Sequence, residues 1–319
     1  MRHTFFCVLL GVAASLPAFS AVDEGLLAYV PTNTKLISSV DINQAKNSQF
    51  GQYLLNKINV EDESFRDMVD QTGFDPRRDL QDFVFASPGP SSSPSSSKFV
   101  LLVRGAFDQP RIRAAALAKG SSIKNVSGFD LLISRGENAG HAFTFLASGI
   151  AVMGDIASVE QLVASGPSHP SLDPKLQSLV ASVGPNNDAW FISLMPGSYL
   201  ADHVKQETNQ QSAAQALNSI VESSGGIQFG DIVRLSFDAM ARSPKDAQSL
   251  VDVIRFLGSM VQMSREKAPG AAVIASAVDQ MTLQTDGDAV HIAVSLPEKS
   301  LEQLADMGPA AHARHHQMK

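Results

Sequence analysis

Residues 144–152 read TFLASGIAV and residues 282–290 read TLQTDGDAV, and the two stretches align without a gap. Each holds a glycine-containing pair between alternating flanks, Ser148-Gly149 in one and Asp286-Gly287 in the other. Alternation around such a pair predicts a β-hairpin with a two-residue turn, and Asp-Gly is the stronger of the two signals. Both hairpins lead into the same helix seed, SVEQL at residues 158–162 and SLEQL at residues 300–304. A hairpin and helix seed met twice predict antiparallel sheet built from a repeated unit.

Working outward, LLAYVP (residues 26–31) matches LVASVGP (residues 179–185) with one glycine inserted. TNTKLIS (32–38) then matches NNDAWFIS (186–193), and LQDFV (80–84) resembles FGDIV (229–233). Five matches in one order, at offsets between about 138 and 155 residues, point to duplication rather than convergent patterning. The expected class is α+β: two homologous units of mainly antiparallel sheet with packed helices, with one shared sheet or two equally compatible with the pattern. The units are drawn at residues 21–167 and 168–308, followed by a disordered tail over residues 309–319.

Short apolar runs at 35–41 and 189–194 predict strands, as do 82–86 and 232–240. Helices are predicted over residues 44–58 and 61–71, closed by Gly73, and over 199–205 and 212–222, closed by Gly225-Gly226. Asp108 is placed to cap a helix opening at Gln109-Pro110, where proline needs no donor. Ser243-Pro244 repeats the device ahead of the longest helix, whose Leu250, Val251, Ile254, Leu257, Met260 and Val261 form a broad apolar stripe. Core filling is the expected role of that stripe. The serine- and proline-rich tract at 87–97 (SPGPSSSPSSS) reads as a flexible surface loop inserted in the first unit only.

The chain has 319 residues, 44% of them hydrophobic, and its 25 Lys and Arg against 32 Asp and Glu leave a net charge of -7. That balance argues against binding nucleic acid through phosphate contacts. The first 20 residues resemble a secretory signal: Arg2 and His3, an apolar run from Phe5 to Leu16, Pro17, then Ala18-Phe19-Ser20, with cleavage expected after Ser20. The apolar run is shorter than the ~20 residues that span a bilayer. The single cysteine, Cys7, lies inside it, so the mature chain is expected to be a cysteine-free periplasmic or secreted protein.

Catalytic motifs are missing. The sequence contains no G-x-S-x-G, no H-E-x-x-H, no Walker A and no G-x-G-x-x-G. His203 and Glu207 stand one helical turn apart and could share a metal, though a solvated helix face is the commoner reason for such a pair. His312, His315 and His316 cluster in the tail, and His291 is out of phase with Val290 and Ile292, on the other face of its strand. Arg77 and Arg78, within GFDPRRDL (73–80), could grip an anion, or could pair with Asp75 and Asp79 to fix the loop entering a strand. Arg104, in RGAFD (104–108), ends a strand just before the Asp108 cap. No catalytic residue, cofactor or metal site is expected; Arg77, Arg78, Arg104, His203 and Glu207 are the candidate interaction residues.

GFDPRRDL, RGAFD, GDIASVEQL (154–162) and SLPEKSLEQL (295–304) together resemble uncharacterised exported proteins of Gram-negative bacteria, of the domain-of-unknown-function type. That resemblance covers most of the mature chain, implies the exported α+β reading, and brings no activity with it. The expected function is a non-enzymatic binding or interaction module with an unidentified protein or small-molecule partner. A carrier or chaperone for apolar ligands along the 245–263 stripe is the alternative, and a hydrolase with dispersed residues comes after it.

Overall fold

Aspartates sit where strands give way to helices, and they set the chain's path. Asp41 accepts from the Gln44 amide at 2.8 Å, Asp108 from Arg111 at 3.1 Å and Asp155 from Ser158 at 3.0 Å. Each occupies the N-cap, a contribution of about 1 kcal/mol apiece. A computed structural model describes residues 23–57, 62–89, 98–136, 139–167, 172–198, 201, 211–263, 271–303 and 306. The expected signal at 1–20 with Cys7, residues 90–97 of the Ser/Pro tract, His203, Glu207 and the histidine-bearing tail lie outside the described residues.

The chain begins α1 (Glu24–Leu27), β1 (Leu36–Asp41), α2 (Ile42–Asn47), α3 (Gln49–Lys57), α4 (Glu63–Thr72) and α5 (Pro76–Asp79). β2 (Leu80–Ser87), β3 (Val100–Gly105), α6 (Gln109–Ala118), β4 (Ser122–Val126), β5 (Phe129–Ile133), β6 (His141–Ala147), β7 (Ile150–Asp155) and α7 (Ile156–Ser165) follow. Then come α8 (Pro174–Val183), β8 (Ala189–Ser193), α9 (Gln211–Leu217), β9 (Ile220–Gln228) and β10 (Ile232–Ala241). The last elements are α10 (Pro244–Met263), α11 (Ala271–Asp279), β11 (Thr282–Asp286) and β12 (Ala289–Pro297).

The α+β class holds, and the strands form one sheet. Its twelve strands run β11-β12-β10-β9-β8-β1-β2-β3-β7-β6-β5-β4, and the paired neighbours are antiparallel. β1 and β8 meet in its middle, Leu36 opposite Ser193 and Val40 opposite Ala189. β2 lies beside β1, whereas β9 separates β10 from β8, so the similar openings LQDFV and FGDIV begin strands at different positions in the order.

Two expectations need correction. The helix expected over 212–222 ends at Leu217, and Gly225-Gly226 lie inside β9 instead of closing it. A Cβ on Gly225 would stand 2.6 Å from the Phe191 ring and from the Ser236 carbonyl, and one on Gly226 would stand 2.0 Å from Asn187. Neighbouring strands therefore demand glycine there, a tertiary requirement that a helix-end reading misses. The last hairpin turns on Gly287-Asp288, since Asp286 still pairs with Ala289; Gly287 takes φ 59° and Gly149, in the other hairpin, φ 73°. A further hairpin, β4–β5, turned by Ser127 (φ 52°) and Gly128 (φ 88°), is not among the expected elements.

Two cores lie on opposite faces of the sheet. On one face Ile37, Val84, Leu102, Val152 and Ile192 are completely buried with Val159 of α7 and Leu176 of α8. On the other, at the β10–β12–β11 end, Leu250 and Val251 of α10 pack with Ala239 and Val290. The apolar stripe of the longest helix is thus core over its first half, while Phe256 and Met263 farther along are exposed. No helix among the described residues is long and apolar enough to cross a membrane.

Candidate apolar binding site

β2 and β3 are apolar on both faces. In β2, Val84 and Ala86 enter the core, so Phe83 and Phe85 must emerge on the opposite face. In β3, Leu102 does the same and sends Leu101 and Val103 across. Registers then align these residues into rows. Ser38 faces Phe85, Phe85 faces Leu101, Leu101 faces Met153 and Met153 faces Phe143, while Phe191 continues the row beyond Ser38. None of Phe83, Phe85, Leu101, Val103 or Phe191 belongs to either core cluster, and none is fully buried. Met153 is 40% exposed.

At one end of this open face a pocket of about 300 Å³ lies between α4, α6 and the sheet. Met68 of α4, Ile112 of α6, Phe74, Phe107, Phe143 and Met153 form most of its wall, which exposes only apolar atoms. α4 and α6 bury no residue completely, in contrast to α7 and α8, so they roof the sheet without closing onto it. Arg111 of α6 holds α4 by its last turn, donating to the Gln71 carbonyl at 3.2 Å and to that of Asp70. Two other pockets have polar groups in their walls: one of about 80 Å³ beside Tyr29, Lys98 and Gln161, and a larger one of about 430 Å³ beside Arg113, Asp130 and Thr144.

The two motifs singled out in the sequence meet at the pocket's end wall, through aromatic rings and backbone. Phe74 of GFDPRRDL stacks on Phe107 of RGAFD with ring centroids 5.4 Å apart, and Phe107 reaches Phe145 at 5.7 Å. The Ala106 amide donates to the Asp79 carbonyl at 2.9 Å, and a Cβ on Gly105 would come within 2.7 Å of that oxygen. Gly73 (φ 72°) ends α4, and Asp75 caps α5 through the Arg77 amide at 3.0 Å.

The arginines are engaged locally. Arg77 forks onto Asp75 at 3.0 and 2.7 Å, and Arg78 onto Asp79 at 2.6 and 2.7 Å. The Arg77 hydrogen bonds hold the Asp75 carboxyl below its ordinary range, and those of Arg78 do the same for Asp79. Arg104 points to the packed face and clamps Asp23, the cap of α1, with one bond at 2.8 Å and a second, shorter one. Burial raises the Asp23 carboxyl, but hydrogen bonds from Arg104 and the Leu26 amide outweigh it and leave it lowered. His291 pairs with Asp238 at 2.5 Å on the exposed side of β12.

On the same packed face, across the centre of the sheet, three carboxylates stand opposite one another. Asp82 faces Asp41 in the register, and the Asp41 amide donates to the Asp188 carbonyl at 2.8 Å. Burial first, then the Asp41 and Asp23 charges, push the Asp82 carboxyl up to about 6, against the pull of Arg104. Burial also raises Asp188, with Asp41 adding to it, although the Phe229 amide bond opposes the shift. Among the described residues no group of three or more His, Cys, Asp or Glu side chains is arranged to hold a metal ion.

No protein-family model matches the chain, and no curated protein matches it. A solved crystal form of TP0453 from Treponema pallidum, form III, shares the fold, and a second, form IV, also matches. Form III gives a TM-score of 0.52 at 12% identity, covering 88% of this chain and 97% of that one. Form IV gives 0.48 at 13% identity, covering 88% and 95%. Likeness at that identity concerns the fold alone.

Proposed function

We propose that this chain is a non-catalytic binding protein of the bacterial cell envelope, and that its ligand is an apolar molecule seated between α4, α6 and the open face of the sheet. The observation that carries the reading is the pocket of about 300 Å³ with a wholly apolar wall, at the lower end of small-molecule sites. A wall without donors or acceptors favours hydrocarbon, because an enclosed polar group would lose its water without replacement. Export through residues 1–20 and construction from two homologous units are parts of this proposal. The site differs from the one the stripe of the longest helix suggested, since the first half of that stripe is core.

The mature protein is tested with anilinonaphthalene sulfonate as a fluorescent probe and laurate as competitor. The expected result is probe binding that laurate displaces with a micromolar constant, weakened at least about tenfold, or about 1.4 kcal/mol, by Ile112→Gln. A folded wild-type protein on which laurate displaces nothing would sink the reading.

A further inference from the structure

The pocket does not end at Met153. From there the open face continues over Leu101 and Phe85 to Phe191 across the β1–β8 seam, each residue opposite the next or one strand on. Six strands at about 4.8 Å and two rows of residues give a strip of roughly 29 by 14 Å, about 400 Å². A stable dimer needs about 800 Å² from each partner, so the strip is half of what a second copy requires. It is long, narrow and carries no charged side chain in its rows, Ser38 being the polar residue, one strand in from the Phe191 end. These dimensions suit one extended hydrocarbon chain laid perpendicular to the strands.

We infer that the ligand class is a long single-chain lipid, whose chain end fills the pocket beneath α4 and α6 and whose remainder lies across Met153, Leu101 and Phe85 toward Phe191. This rests on the binding reading above but adds length and direction to it. Each methylene laid on the strip contributes up to about 0.8 kcal/mol, so affinity must grow with chain length beyond what the pocket alone can hold. Side chains far from the pocket then act on long ligands only.

The test is probe displacement from the full mature chain by octanoate, laurate and palmitate, on wild type, Phe85→Gln and Leu101→Gln, with thermal unfolding and sedimentation of each. Palmitate is expected to bind at least about tenfold more tightly than octanoate. Both variants should lose most of that gain while binding octanoate as wild type does, and their unfolding midpoints should stay close to wild type. Palmitate no tighter than octanoate would overturn the inference and leave the pocket reading standing; failure of every acid would remove both. A wild-type dimer dispersed by Leu101→Gln would make the strip an interface between copies, again overturning it. Unfolding midpoints falling as far as for Leu102→Ala would show that the chain itself covers the strip, and would overturn the inference likewise.

Discussion

Leu101 and Leu102 are neighbours in one strand with different surroundings. Leu102 is completely buried beneath the helices of the packed face, while Leu101, one residue earlier, lies on the open face outside either core. Val84 and Phe85 repeat the contrast in β2. On the packed face α7 and α8 each drive buried Val and Leu side chains into the sheet; on the other, α4 and α6 contribute none. Hydrophobicity alone therefore does not decide what is core. Helices must arrive on both sides, and here the central strands receive them fully on one.

The comparison can be broken most sharply by truncating each leucine. Leu102→Ala should destabilise by about 2–4 kcal/mol, the transfer loss plus a cavity that a rigid face cannot close. Leu101→Ala should lose under about 1 kcal/mol, because water already reaches the site. Denaturant midpoints of the two variants measure the difference, and equal losses would mean that the faces are equally packed.

A next, smaller effect tests whether the open face is slack throughout. Gly225 lies under the Phe191 ring, with the Ser236 carbonyl as close on the other side. Gly225→Ala should destabilise by about 2 kcal/mol because backbone and ring cannot both retreat. A neutral result would show that the middle strands can separate.

The smallest effect belongs to the packed face and depends on pH. Asp82 titrates near 6 in the folded protein against an ordinary value of 3.8, so the native state holds its proton where the unfolded chain has lost it. Its favourable contribution is complete below about 4 and disappears as pH rises through about 6. The shift corresponds to at most about 3 kcal/mol, and partial solvent access lowers this to about 1. Asp82→Asn should therefore be more stable than wild type by about 1 kcal/mol at pH 7.5, with the difference fading below pH 5 in paired thermal melts. No gain at pH 7.5 would show that Arg104 and solvent already neutralise the site.

Much of the local structure was legible. The cap at Asp108, the end of α4 at Gly73 and the presence of the β6–β7 and β11–β12 hairpins follow from turn and capping chemistry that acts within a few residues. The Asp75 and Asp79 partners of Arg77 and Arg78 were also readable, because each sits one or two positions from its arginine. The pocket was not. Met68, Phe74, Phe107, Phe143 and Met153 come from five separate segments. A faint signal was available in Phe83-Val84-Phe85-Ala86, a strand apolar on both faces, which promises either a second layer or an exposed apolar surface.

The sequence by itself determined the α+β class, the antiparallel hairpins and the aspartate-capped passages from strand to helix, since backbone propensity and turn chemistry are local. Only the tertiary structure decided that the strands make one sheet, that its cores lie on opposite faces, and that one apolar face of β2 and β3 stays outside both cores. Those outcomes depend on where helices from distant parts of the chain come to rest. Period-two alternation separates the two faces of a strand but carries no information about which of them a remote helix will cover.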